Sequence, residues 1–340
     1  MRVILTLTLF FSSGFLLAQQ RAQYSQFALN NYLQNPAITG IEDYTDVRLG
    51  FRNQWVGIEG APRSLYMSAH MPVNKKNVST EVNYLMRNGR KVKTIVDQKT
   101  DKSKNHKIKP HQGVGFLAES DKSGAISRTG LNLTYAYHLP VSRTVKVAGG
   151  VSAGILNYSI NTQSLVLDNT QDPALAGNGL RNTQFDLGLG IWAYSRNFFG
   201  GISTSQFASK KENFINDMSI APQNGLQTHY YFSGGYRINV SPFVALIPSF
   251  LTKLAQPSPA STDFNLKALY NDRVYIGGTY RKDDAFSVIT GFNINSIIGI
   301  GYAYDATTSE LNYFSQGSHE VVLNIKLLNK NKAICPNWLW

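Results

Sequence analysis

Few residues in this chain have the types and spacing that chemistry needs. Gly150-Val151-Ser152-Ala153-Gly154 fits the G-x-S-x-G pattern of a serine hydrolase. That nucleophile must sit on a sharp turn between a strand and a helix. Here the motif lies inside one alternating stretch, 144–158, with its small residues on the inward face. An outer-membrane lipase is the enzyme that such a serine would imply, and its required context is missing. His70, His106, His111, His138, His229 and His319 are scattered and give no H-E-x-x-H or paired ligand spacing on one element. His138 falls on the polar face of a strand, a place for hydrogen bonding to other groups of a barrel lumen. Gly188-Leu189-Gly190 lacks the third glycine and the helix of a dinucleotide site. Asp283-Asp284 falls in a tight turn and reads as solvated. The single cysteine, Cys335, excludes an internal disulfide framework and any multi-cysteine metal site. No catalytic group, metal or cofactor is expected.

The elements around these residues alternate with period two. Leu131, Leu133, Tyr135, Tyr137 and Leu139 share one face, and Asn132, Thr134, Ala136 and His138 the other. Phe185, Leu187, Leu189 and Ile191 alternate with Gln184, Asp186, Gly188 and Gly190; Val321, Leu323, Ile325 and Leu327 share a face near the end. Such alternation predicts strands. About fourteen runs are readable, at 44–53, 62–72, 111–119, 128–139, 144–158, 182–195, 198–206, 228–239, 242–252, 262–270, 273–281, 284–293, 296–305 and 317–328. Most have the 9–11 residues that cross a bilayer as tilted strands. Apart from the N-terminus, no stretch is apolar enough for a spanning helix. The short connections fall on one side by parity (around 140–143, 196–197, 240–241, 271–272 and 295), and long ones on the other (159–181, 207–227, 306–316). That sorting predicts an all-β, antiparallel outer-membrane barrel of about fourteen strands, with short periplasmic turns and longer outside loops. Aromatics near strand ends, namely Tyr135/Tyr137, Trp192/Tyr194, Tyr230/Tyr231/Phe232 and Tyr302/Tyr304, read as interfacial girdles.

The flanks and the charge divide the chain. Met1-Arg2, an apolar stretch Val3 to Leu17 and a small residue at Ala18 make residues 1–18 an export signal, to be cleaved before Gln19. Residues 19–42 are too irregular to span and are expected in the periplasm or as a plug in the barrel mouth. The barrel occupies 43–328 and a tail 329–340. The net charge is +12. Most of that excess sits in one periplasmic connection, 73–110, which holds eleven lysines and arginines against three carboxylates, a balance of +8. Asn88-Gly89 between two apolar-rich runs is a hairpin signal. This insertion, with Lys102, Lys104, Lys107 and Lys109, is either a solvated loop or a docking surface for an acidic partner or anionic lipid. Nucleic acid is not expected outside the cytoplasm.

The N-terminal third carries the most distinctive blocks: Tyr24-Ser25-Gln26-Phe27, then Asn30-Asn31-Tyr32-Leu33-Gln34-Asn35-Pro36-Ala37-Ile38-Thr39-Gly40, then Arg52-Asn53-Gln54-Trp55-Val56-Gly57-Ile58-Glu59-Gly60-Ala61-Pro62. Asn35 before Pro36 should be extended, and Gly40 can turn the chain with a positive φ. Arg48 and Arg52 should face inward, since an arginine facing lipid near the midplane costs about 2–4 kcal/mol. These blocks either order a plug and a loop or shape a contact with cargo or translocon. In this order, with Tyr135-Ala136-Tyr137-His138-Leu139-Pro140 and the glycine-rich strand 149–154, the chain resembles the PorP/SprF family of Bacteroidetes outer-membrane proteins. The resemblance implies a non-enzymatic part of type IX protein secretion and gliding motility, without cofactors. It implies as partners outer-membrane lipid, secreted cargo with a C-terminal sorting domain such as gliding adhesins, and the periplasmic lipoprotein ring and peptidoglycan-linked subunits. The insertion 73–110 is longer than the family pattern. A channel or hydrophobic-solute transporter is the competing function for a barrel of this size.

Overall fold

The structure, a computed structural model, describes residues 30–75, 82–87, 90–95, 109–142, 144–161, 180–207, 227–255, 258–282, 284–330 and 333–334. The export signal, Tyr24 to Phe27, Asn88-Gly89, Lys102, Lys104, Lys107, Asp283 and Cys335 lie outside them.

Seventeen strands are present among the described residues: β1 (Thr45–Asn53), β2 (Arg63–Val73), β3 (Val82–Arg87), β4 (Arg90–Ile95), β5 (His111–Ser123), β6 (Ile126–Pro140), β7 (Lys146–Ile160), β8 (Leu180–Tyr194), β9 (Phe198–Ser205), β10 (His229–Tyr236), β11 (Ile238–Asn239), β12 (Val244–Ala255), β13 (Ser258–Tyr270), β14 (Val274–Arg281), β15 (Ala285–Asn293), β16 (Ile298–Thr307) and β17 (Ser318–Leu327). β3 and β4 pair only with each other, inside the basic insertion. β11 is a two-residue extension against β12. The other fourteen form one antiparallel barrel. Each pairs with its neighbour along the chain, and the ring is closed by β1 on β17, from Thr45↔Leu327 to Asn53↔His319. No described helix is long and apolar enough to cross a membrane.

Turn chemistry matches the pattern. Asn271 and Asp272 between β13 and β14 both have positive φ, 50° and 56°. Two such residues in a row make the tight turn whose twist suits an antiparallel hairpin. At the end where β1 begins, here the entry end, connections are short apart from the insertion. The strand ends that bound the longest gaps, after Ile160, Ser205 and Thr307, are at the far end. The far end also has a two-residue turn at 124–125, and β12 and β13 are only two residues apart in the chain, where the sequence predicts wider gaps. The strands run on there through Glu119 to Lys122 and through Ser258 to Thr262, residues too polar to mark an apolar face. Above the hydrocarbon band both faces can be wet, so the ladder continues after the alternation stops.

The outer wall is apolar. Leu133 (68% exposed), Phe185 (76%), Leu189, Ile202, Leu266, Ile276 and Val321 all point outward. Trp192, Tyr194 and Tyr231 correct the girdle reading: all three are buried inside, the first two on the same face as Gln184 and Asp186, as period two requires. Tyr135, Tyr137, Tyr230, Phe232, Tyr302 and Tyr304 do face outward.

The far half of the lumen holds charge. Arg52 on β1 bridges Asp305 on β16 (2.7 Å) and Glu320 on β17 (3.3 Å), all three at most 2% exposed. Arg281 holds Asp263 at 2.8 Å and Asp284 at 2.9 Å, and Lys253 reaches Asp263 at 3.2 Å. The first triad lies across the seam where the ring closes. Replacing Arg52 by Ala leaves two carboxylates buried without their guanidinium, an effect worth about 3–5 kcal/mol. The expected outcome is a clear fall in the temperature at which Arg52→Ala loses its folded, heat-modifiable band in detergent, with Arg52→Lys falling less. An unchanged transition would show that the seam does not depend on this cluster.

Candidate functional site

The site is built from Asn30 to Tyr44, which enters the lumen before β1. Two single-turn 3-10 helices, Asn31–Leu33 and Pro36–Ile38, order it. Asn35 is extended (φ −130°, ψ 111°), as the residue before a proline should be. Its side-chain oxygen accepts from the Ala37 N–H at 2.9 Å and caps the second turn. Its amide nitrogen donates to the carbonyls of Ile191 (3.1 Å) and Ile202 (3.2 Å) on the barrel wall. One side chain thus orders the segment and ties it to β8 and β9.

The wall is shaped to receive it. A Cβ on Gly190 would lie 2.0 Å from the Asn35 side-chain oxygen, and one on Gly150 2.4 Å from the Ala37 nitrogen. A Cβ on Gly113 would lie 2.0 Å from the Thr39 carbonyl oxygen. Gly40 itself has φ +75° and packs on Gly113, so only glycine fits both positions. The glycines of two rejected catalytic patterns therefore seat the segment. Ser152 lies mid-strand, opposite Thr134 and Gly188, and the strand runs on to Ile160 without a turn at the serine.

Apolar packing completes the seat. Tyr32, Leu33, Ala37, Ile38 and Ile41 form one buried cluster with Leu117, Ala148, Trp192, Tyr194 and Phe199 of the wall. The Tyr32 hydroxyl shares a 2.7 Å hydrogen bond with Thr134, and burial holds its phenol above the ordinary tyrosine range, so it stays protonated. Asn30 donates to Ser68 at 3.2 Å, and Ser203 donates to the Gln34 carbonyl at 2.7 Å. At the exit, Lys75 pairs with Asp43 at 2.7 Å and donates to the carbonyls of Ile41 (2.6 Å) and Glu42 (3.0 Å). Lys75 stands where the basic insertion leaves β2, so the root of that insertion grips the segment.

The residues singled out in the sequence fall into three groups. Asn35, Pro36 and Gly40 lie in this segment. Arg52 belongs to the far ionic cluster, and Asn53 pairs with His319 and Arg63 on β17 and at the start of β2. Gln54, Trp55, Gly60 and Pro62 form the far loop 54–62. There Gln54 donates to the Pro62 carbonyl, Trp55 (φ 48°) donates from its backbone to Ser318, and Gly60 (φ +71°) accepts from Gly124. Val56 exchanges backbone hydrogen bonds with Gln316 and Gly317, stapling this loop to the one between β16 and β17. Lys109 is exposed at the entry end. The two blocks are thus not brought together; they stand at opposite ends of the lumen. Sequence reading did not select Lys75, His70, His111 or the seat glycines. The readable signal was glycine on the inward parity of β5, β7 and β8.

Among the described residues no group of three or more His, Cys, Asp or Glu side chains is arranged for a metal. The arrangement offers an interior lined by buried side chains and two rims, which suits binding.

The family model described as "Type IX secretion system membrane protein PorP/SprF" matches residues 16–325. No curated protein matches the chain. Solved structures similar to it include the Ralstonia pickettii toluene transporter TbuX (12% identity, 87% of this chain and 92% of that one, TM-score 0.44). Others are the Pseudomonas putida toluene transporter TodX (9%, 91% and 94%, TM-score 0.43) and the Acinetobacter baumannii outer membrane protein Omp33 (9%, 85% and 99%, TM-score 0.42).

The seat predicts its own test. In Gly190→Leu the added side chain occupies the place of the Asn35 amide. We expect a folded, membrane-inserted barrel whose residues 30–44 become open to protease, while the strands stay resistant. Asn35→Ala, which strands buried backbone groups worth about 1–3 kcal/mol each, should move in the same direction less far. A segment as resistant as in the parent protein in both variants would refute the seat.

Proposed function

This chain belongs to the PorP/SprF family of type IX secretion system membrane proteins, and on that premise we propose that it is a non-enzymatic outer-membrane component of that system. Its role is secretion or surface anchoring of cargo with a C-terminal sorting domain, gliding adhesins among them. The observation that supports this reading is the occupied lumen. The motif-bearing N-terminal segment fills the entry half and buried ion pairs fill the far half. A barrel so filled acts through its rims.

The mechanism is binding. The far rim, with the loops between β7 and β8 and between β9 and β10, holds the cargo domain at the cell surface. The stapled loops 54–62 and 308–317 give that rim a rigid edge. The entry rim faces the periplasm, where the basic insertion docks to the lipoprotein ring and peptidoglycan-linked subunits. Lys75 gives partner binding there a mechanical route to the lumenal segment. The apolar wall anchors the chain in outer-membrane lipid, after export and loss of residues 1–18.

The competing reading, a solute channel, makes the opposite electrical prediction. The purified barrel should show no steady conductance in planar bilayers; a stable open level in the parent protein would favour the channel. Loss of the gene should abolish surface display of particular cargo while the envelope stays intact, and normal display of every such cargo would sink the secretion role. Charge reversal at Lys102, Lys104, Lys107 and Lys109 should reduce co-purification of periplasmic partners several-fold in low salt, because such attraction is screened as salt rises. Equal recovery would leave the insertion as a plain solvated loop.

A further inference from the structure

Three of the six histidines, one each from β2, β5 and β6, converge on the same two residues of the lumenal segment. The Gly40 N–H donates to Nδ1 of His70 at 3.2 Å. The Gly40 carbonyl accepts from Nε2 of His111 at 3.2 Å. The Thr39 carbonyl accepts from Nε2 of His138 at 2.8 Å, while Nδ1 of His138 meets the Tyr194 hydroxyl at 2.9 Å. The rings of His111 and His138 stack, 4.3 Å apart and 2° from parallel.

These partners assign the protons. A carbonyl only accepts, so His111 and His138 each carry hydrogen on Nε2. A backbone N–H only donates, so Nδ1 of His70 must be bare. All three rings are buried. A second proton on His70 sets N–H against N–H. Second protons on His111 and His138 stack two cations face to face.

The charged surroundings give little relief, and only Asp46 beside His70 acts in favour of a second proton there. Lys75 and Lys146 act on both His111 and His138, and Arg48 and Lys75 act on His70. Asp46 near His70 is already held by Arg48 at 2.7 Å, and Asp43 by Lys75 at 2.7 Å. Glu42, Asp43 and Arg196 act on Lys146, and Glu42 and Asp43 on Tyr194. The Tyr32 ring packs 4.7 Å from His70. The cations Arg48, Lys75, Lys146 and Arg196 outnumber the carboxylates Glu42, Asp43 and Asp46.

We propose that His70, His111 and His138 form an acid-sensitive latch, which holds the N-terminal segment in the lumen while neutral and loosens it when protonated. The sign follows from linkage. The seated state binds fewer protons than the loosened one, so seating weakens as the pH falls. Histidine is the side chain that makes such a change between about pH 5 and 8. The latch concerns the segment's retention and stands whether or not the secretion role does.

Hydrogen exchange of the full chain in detergent, read by mass spectrometry over residues 30–44, tests it. After correction for the pH dependence of chemical exchange, the segment should exchange at least about tenfold faster at about pH 5 than at about pH 7.5, with the strand amides unchanged. In His111→Gln combined with His138→Gln, each glutamine can still donate to a carbonyl and cannot be charged, so the acceleration should shrink several-fold. Equal corrected exchange of the wild-type segment at both pH values would overturn the latch, as would acceleration shared by the strands. Full acceleration in a folded double variant would do the same. The wild-type comparison decides the matter even without a folded variant.

Discussion

In hydrocarbon an unpaired backbone N–H or C=O has no water to turn to, and each such group costs several kcal/mol. A strand can cross only if both its edges are paired. The ladder between β1 and β17 is therefore the contact on which the rest depends, because it is the one barrel pairing not made by chain neighbours. It closes the ring across the full length of β1. The buried Arg52 triad with Asp305 and Glu320 ties the same seam from inside, across β1, β16 and β17.

Closure creates a second problem, an interior wide enough to need filling. This chain solves it in two ways. In the far half, arginines and a lysine meet carboxylates from nearby strands. In the entry half, the chain folds its own N-terminal segment inward and builds an apolar core between it and the wall. That core exists because Gly113, Gly150 and Gly190 lack side chains where Thr39, Ala37 and Asn35 must approach. The small inward residues of β7 and β8 look like an emptied lumen in isolation and are a mould in context.

Much of the barrel was legible because period-two alternation is a direct record of which face meets lipid. Leu131, Leu133, Tyr135, Tyr137 and Leu139 face outward, as do Phe185, Leu187, Leu189 and Ile191, as their spacing predicts. The extended Asn35 and the positive φ of Gly40 follow from local sterics that act before any tertiary contact. The alternation failed where lipid stops mattering, at 119–123 and 258–262, and aromatic type misled where parity was the better guide. Trp192 and Tyr194 share the inward parity of Gln184 and Asp186, and parity decides over side-chain preference because the backbone pleat fixes direction. Around the site, Lys75, His70 and His111 went unselected because each is ordinary in its own strand.

The sequence by itself determined the strand-rich class, the strand number, the sorting of loop lengths and the inward placement of Arg48 and Arg52. Each is a local or periodic property, set by what lies one or two residues away. Only the tertiary structure decided that the lumen is filled, that Asn35 reaches Ile191 and Ile202 on two strands, and that His70, His111 and His138 close on one turn of chain. Those contacts join residues about 30 to 170 positions apart. No repeat or propensity encodes such distances, because they exist only once β1 meets β17 and the ring gives the N-terminal segment a wall to lie against.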